Sequence, residues 1–314
     1  MLLVAGGAAL FGTLSYIARQ AAATGIEALP YVAWRGFVAT SVLLVATFLV
    51  GTRIGGTSRW PNPFVLRRDR QLALVVAALC GAMLNIATFA AFLLTTVAIA
   101  LICFYTYPAI VTILAVPFYG ERLDRVRIGA LLLSSVGLVM VVLAPLAGAT
   151  DVVVNPIGVA LALFAALCQA TFFLISGRGW GPMPNLHVST FTIAMALVLS
   201  IPLTILAGQT SDLLLPFQQP EAWIWILAGA ITGAAIPTTA FITGIGLIGP
   251  SRAAILMTIE PLVGVTIAAL FLGEEPSFIQ IIGGAAVLSA AAILQVAPRH
   301  AGSPVAEPEL GPLV

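Results

Sequence analysis

The sequence contains no lysine; all thirteen of its basic residues are arginine. That absence excludes a Walker A phosphate-binding loop, a retinal or pyridoxal Schiff base, and a serine–lysine hydrolase dyad. Histidine is nearly missing too. His187 and His300 stand alone, outside any H-E-x-x-H spacing, so neither a zinc protease site nor any other metal or cofactor site is expected. Charge as a whole is scarce, with 8% of residues charged and a formal net charge of +1. There is no cluster of basic residues for a nucleic acid to bind, so no such partner is expected. The three cysteines, Cys80, Cys103 and Cys168, fall inside apolar runs and read as small core residues.

What is present is apolar surface: 61% of the residues are hydrophobic and the mean hydropathy is +1.11. A helix needs about 20 apolar residues to cross the hydrocarbon core of a bilayer. On that measure ten spans are predicted, near residues 2–22, 30–50, 72–95, 98–118, 126–147, 156–176, 187–207, 222–247, 251–272 and 278–297. The first span follows the start almost directly, with no basic segment or clear cleavage site before it, and reads as a retained helix. The Pro- and Ala-rich residues 298–314 read as a disordered cytoplasmic tail.

Arginine sets the sidedness. Arg53, Arg59, Arg67, Arg68 and Arg70 crowd the connection after the second span, and Arg122, Arg125 and Arg127 follow the fourth. Arg178 follows the sixth, Arg252 precedes the ninth and Arg299 lies in the tail, whereas the opposite connections hold only Arg19 and Arg35, read here as span-edge residues. The positive-inside rule then puts both termini in the cytoplasm of a cell with this protein in its inner membrane. Trp223 and Trp225 fit an interfacial aromatic belt.

A shift of 153 residues, which carries Pro108 onto Pro261, aligns FYTYPAIVTILAVPFYGE with LMTIEPLVGVTIAALFLGE. The same shift carries Ala115 onto Ala268, Phe118 onto Phe271, Gly120 onto Gly273 and Glu121 onto Glu274. Each copy holds five spans, and an odd number forces the second to enter the membrane inverted. Inverted repeats mark secondary transporters, with a site near the midplane between the halves. The expected domains are residues 1–147 and 156–297.

The Arg-led second span YVAWRGFVATSVLL, the Tyr-Pro and Glu-Pro spans that each close on Gly-Glu, and NPIGVALALFAALCQATFFL opening the second half resemble the EamA branch of the drug/metabolite transporter superfamily. The resemblance covers residues 2–297. It implies an all-α integral membrane protein of ten transmembrane helices in two inverted five-helix repeats, a carrier of small molecules and not an enzyme. It also implies export of amino acids, other small metabolites or toxic compounds, through a cavity lined by helices one, three, four, six, eight and nine.

Glu260 is the charge placed deepest in a span, about 12 Å along the helix from Arg252 at 1.5 Å per residue. An ionised carboxylate at the bilayer centre costs about 2.5–3.5 kcal/mol on insertion scales, so the side chain should face the bundle interior. A buried carboxyl can exchange a proton for a cationic or zwitterionic substrate. A structural reading stands beside it: Pro261 has no N–H to give the carbonyl of Met257, and a protonated Glu260 could satisfy it. Pro108 and Pro261 read as paired hinges. Tyr107 is the counterpart of Glu260; Tyr105, two residues away, should not share its helical face.

Asn85, Thr88, Phe89 and Phe92 form one polar and aromatic face on the third span, and Gln169, Phe172, Phe173 and Ser176 form another on the sixth. Ser15 with Arg19 on the first span, and Thr239 with Thr243 on the eighth, are further candidates for substrate contact. For each of these, helix packing or back-bonding to its own helix is the competing account. Small-residue stripes at Ala130, Ser134 and Gly137, and at Ala285, Ser289 and Ala292, read as close packing or as a homodimer face. The other expected partners are the lipid bilayer and a small-molecule substrate. A carrier of hydrophobic cations or drugs and a non-transporting membrane scaffold or sensor remain alternatives.

Overall fold

A computed structural model describes residues 1–53, 60–120, 124–144, 153–272 and 277–296; within these, the side chains of residues 50–53, 89, 272 and 295 are not described. Arg59, Arg122, Glu121, Gly273, Glu274, Arg299 and the tail lie outside the described residues, as do the side chains of Arg53 and Phe89.

Ten apolar helices follow one another, close to the spans read from hydropathy. They are α1 (Leu2–Ala23), α2 (Ala28–Leu49), α3 (Arg68–Leu94), α4 (Val97–Tyr119), α5 (Arg125–Leu143), α6 (Pro156–Gly177), α7 (Asn185–Leu206), α8 (Ala222–Ile248), α9 (Pro250–Phe271) and α10 (Phe278–Leu294). Among the described residues the first nine are long and apolar enough to cross a membrane, and α10 is a shorter apolar helix. Their starts carry the expected chemistry. The carboxylate of Asp124 accepts the Arg127 N–H at 2.7 Å, and the side chain of Asn155 accepts the Ile157 N–H at 2.9 Å just before Pro156. Gly249, at φ +84°, turns α8 directly into α9, a conformation that favours glycine.

Helix packing repeats the symmetry of the sequence. Helix α3 packs on α6, as its counterpart α8 packs on α1; α4 on α6 is matched by α9 on α1, and α3 on α7 by α8 on α2. The remaining large seams join counterparts directly: α2 with α7, α4 with α9 and α5 with α10. The arginine-bearing ends gather on one face of the bundle. There the Arg70 guanidinium donates to the Gly179 carbonyl at 3.1 Å, and Arg178 lies over the Phe118 ring at 6.0 Å. At the other face Trp34, Phe217 and Trp223 form an aromatic cluster, and Trp34 Nε1 donates to the Leu213 carbonyl at 3.0 Å.

The small-residue seam between α5 and α10 is half as expected. Ala130, Ser134 and Gly137 are buried in it, but on α10 the buried line is Gly283, Val287, Ala290 and Leu294, while Ala285, Ser289 and Ala292 are exposed. Gly283 decides the choice. A Cβ there would lie 2.5 Å from the Gly137 carbonyl oxygen, an approach that only two facing glycines permit.

Candidate functional site

Four spans depart from regular helix near their middles. Helix α1 breaks at Thr13, α4 at Tyr105–Thr106 and α9 at Met257–Thr258, while α8 contains a π-turn over Ile231–Ala235. Each of the three breaks carries a threonine whose hydroxyl donates to the carbonyl three residues back at 2.7 Å: Thr13 to Leu10, Thr106 to Cys103 and Thr258 to Ile255. Such bonds compete with the helical ladder and favour a local tightening. Pro108 and Pro261 then fall in the first turn of the segment that resumes, where a missing N–H costs little.

The break in α4 brings Tyr105 and Tyr107 together, contrary to the helical-face expectation. Their ring centroids are 6.0 Å apart, both are buried, and the Glu260 carboxyl acts electrostatically on both phenols. A regular helix would have turned them about 200° apart; the interruption removes that phase. Glu260 and its sequence counterpart Tyr107 thus lie within electrostatic reach of each other, on two helices that pack together.

The backbone at Pro261 does not need the Glu260 carboxyl. The Met257 carbonyl, deprived of the proline N–H, accepts the Glu260 backbone N–H at 3.0 Å. The carboxyl itself is half-buried and makes no hydrogen bond among the described residues, and its oxygens are not among the sealed polar atoms. Close by, the Tyr107 hydroxyl is sealed and has no hydrogen-bond partner among the described residues. Such a group carries an uncompensated desolvation cost, and persists where a partner arrives from outside or a function keeps it.

An aromatic wall extends from this point through three helices. Phe104 lies 5.2 Å from Tyr105 and 5.3 Å from Tyr107; Tyr107 lies 5.5 Å from Phe173, and Phe173 lies 4.6 Å from Phe241. Phe172 stacks on Phe241 at 5.8 Å. Gly12 of α1 closes the other side. A Cβ there would lie 2.5 Å from the Glu260 carbonyl oxygen, so α1 rests against α9 at the glutamate.

The remaining candidates are placed less tightly. The Asn85 amide donates to the Gly81 carbonyl at 2.9 Å, and the hydroxyls of Thr88 and Thr239 donate to Leu84 at 2.6 Å and Ala235 at 2.9 Å, all on their own helices. Ser15 donates to the Gly12 carbonyl at 3.2 Å and lies against Gly264, one turn beyond Glu260. Gln169 is buried and Thr243 half-buried, and neither side chain makes a hydrogen bond among the described residues. Phe104, Phe241 and Gly12 escaped the sequence reading. Nothing in their spacing separates them from ordinary packing residues.

The sequence profile of the EamA-like transporter family matches residues 1–143 and, a second time, residues 156–296. The chain belongs to the EamA-like transporter family. Two relatives are each described as an uncharacterized transporter: one from Archaeoglobus fulgidus, 26% identical over 195 residues, and one from Synechocystis sp., 27% identical over 199 residues. Each alignment takes in 62% of this chain, and the chain spans 66% and 58% of the lengths of those two proteins. A solved crystal structure superposes with a TM-score of 0.73 at 20% identity, covering 93% of this chain and 95% of the other, which establishes the shared fold. This EamA transporter is therefore a multi-pass membrane protein, and its two profile matches fall on the two five-helix repeats.

Proposed function

We propose that the protein is a secondary carrier that exports small metabolites, amino acids or related compounds, from the cytoplasm by alternating access of its two halves. The observation that carries this reading is the unpaired Glu260 carboxyl on one of two broken helices, α4 and α9, that pack together. A passive bundle gains nothing from a carboxyl that satisfies no backbone group, whereas a carrier can use it to hold an ammonium group or a proton. The broken helices supply the flexible elements, and the aromatic wall supplies apolar contact for a side chain. The arginine-rich face is assigned to the cytoplasm by the positive-inside rule, with both termini there and the inner membrane as the site of action.

A second reading, export of hydrophobic cations, draws support from the same wall, since aromatic faces beside a carboxylate attract delocalised positive charge. Flux measurements in proteoliposomes separate the two. Amino acids and cationic dyes are loaded with and without a pH gradient, for the wild type and for Glu260→Gln. Amino-acid efflux driven by the gradient, with that dependence lost in the variant, is the expected result. Undiminished, equally gradient-driven flux through Glu260→Gln would rule out proton coupling at this residue, and efflux confined to the dyes would favour the second reading.

A further inference from the structure

The connection from α2 to α3 returns along the lipid side of the bundle at its arginine-rich end. Trp60 packs its ring on that of Phe48, in the last turn of α2, with 5.9 Å between centroids. Phe48 and Leu49 are both exposed, so this side of α2 faces lipid. Beyond Trp60 a single 3₁₀ turn, Pro63–Val65, is capped by the Asn62 side chain, which accepts the Phe64 N–H at 3.0 Å. The turn holds Phe64 81% and Val65 49% exposed, and Trp60 is 58% exposed. Leu66 then turns inward to join the core, and its carbonyl accepts the Gln71 amide at 2.8 Å. The segment is thus pinned at both ends, with three large apolar side chains left outside.

Exposed apolar and aromatic residues on a connection between two spans match the interfacial zone of a bilayer. Directly beyond them come Arg67 and Arg68, both exposed, and the Arg67 side chain keeps 91% of its surface. Helix α3 gains nothing from these cations. Arg67 makes no side-chain cap, and the dipole disfavours positive charge at a helix N-terminus, where Asp69 alone suits it. Asp69 approaches Arg67 at 3.7 Å, too long for a hydrogen bond, and so exposed a pair contributes little. Arg70 donates to the Gly179 carbonyl, which brings this end of α3 beside Arg178 and the exposed Phe118 ring beneath it.

The opposite end of the bundle supplies a contrast. The connection from α7 to α8 also exposes large apolar side chains, Leu214 and Phe217, the second packed on Trp34 and Trp223. Its charges are Asp212 and Glu221, and residues 207–222 contain no arginine. Both ends present apolar side chains at the membrane surface, and only one adds cations to them.

We propose that residues 60–68 bind anionic phospholipid of the leaflet at the arginine-rich face. Trp60, Phe64 and Val65 enter the upper acyl chains, and Arg67 and Arg68 take the headgroup phosphates. A guanidinium holds a phosphate through two parallel hydrogen bonds, and the negative surface potential of an anionic leaflet adds to the attraction. The inference is independent of what the protein carries.

The test reads lipid at Trp60, which is one of five tryptophans and the only one in this segment. The full chain is reconstituted in phosphatidylcholine bilayers that contain either phosphatidylcholine or phosphatidylglycerol brominated near the glycerol end of its chains. The fluorescence quenching lost in Trp60→Phe then isolates the lipid beside this residue. Trp60 should be quenched by both lipids, with an apparent affinity about fivefold or more higher for phosphatidylglycerol. The double variant Arg67→Gln, Arg68→Gln should bring that ratio to within about twofold of one, and high salt should shrink it in the wild type. Its unfolding midpoint in detergent should not change, because both side chains are exposed. An unquenched Trp60 would place the segment outside the bilayer and overturn the proposal. Equal quenching by the two lipids, or a preference that survives the double variant, would overturn it as well. Loss of the preference when inorganic phosphate is added at constant ionic strength would assign the arginines to a free anion, and the lipid site would fall.

Discussion

Gly12 of α1 and Glu260 of α9 are in backbone contact, with the position of a Cβ on the glycine only 2.5 Å from the glutamate's carbonyl oxygen and 2.7 Å from the Cβ of Val263. The obstacle is backbone and a β-branched side chain, neither of which can swing away. Gly12→Ala should therefore push α1 off α9, at a cost of about 1–3 kcal/mol of overpacking. Thermal unfolding of the purified protein in detergent should show a lower midpoint, and solute flux should fall. An unchanged midpoint would mean that the two helices are not held this close.

The Tyr107 hydroxyl offers a test of the opposite sign. A sealed, unpartnered hydroxyl opposes folding, so Tyr107→Phe should raise stability by about 1 kcal/mol while keeping the ring in the aromatic wall. If the hydroxyl takes part in proton or substrate handling beside Glu260, flux falls in the same variant. Stability and activity moving in opposite directions is the expected pattern. A drop in stability would show that the hydroxyl has a partner in the folded protein.

Gly137 and Gly283 should behave as a pair. Each meets the other's carbonyl oxygen at 2.5 Å from a built Cβ, so alanine at either position wedges α5 from α10, by about 1–3 kcal/mol. The two effects should not add, because the first wedge already opens the seam that the second would open. Unfolding midpoints of both single variants and the double variant measure the coupling, and strict additivity would contradict the shared contact.

Cys80 of α3 and Cys168 of α6 lie near each other across a seam that joins the two halves. Copper phenanthroline, as oxidant, should link them, leaving one of the three cysteines to react with a maleimide after unfolding. Each thiol loses a proton and an electron to the reagent as the S–S bond forms. Transport should slow on oxidation and return with dithiothreitol. Three reactive thiols after oxidation would show that the pair never reaches bonding geometry.

The spans, the repeat and its inversion were legible in the sequence because hydropathy and a common offset report them directly. The meeting of Tyr105 and Tyr107 was not. It depends on a helix break at Thr106, and a hydroxyl turning back on its own backbone leaves no mark on apolar periodicity. Arg35 was misplaced for a related reason. Read at a span edge, it sits seven residues into α2 and is buried beside Tyr31, against a stretch of α8 almost two hundred residues away in the chain. On α10 two lines of small residues run side by side, and only the position of Gly137 on the facing helix selects between them. Glu260 itself was legible as the point where the two repeats differ; that its carboxyl leaves the Met257 carbonyl to a backbone N–H was visible only in three dimensions.

Two of the four interruptions, in α4 and its counterpart α9, obey the symmetry of the packing, and two do not. Thr13 breaks α1 and the π-turn loosens α8, yet their counterparts α6 and α3 run as continuous helices. One of two matched seams is therefore articulated and its twin is a rigid beam. A molecule assembled from two copies of one motif has in this way acquired a front and a back, and a solute passing through it meets a pliant wall on one side and a fixed one on the other.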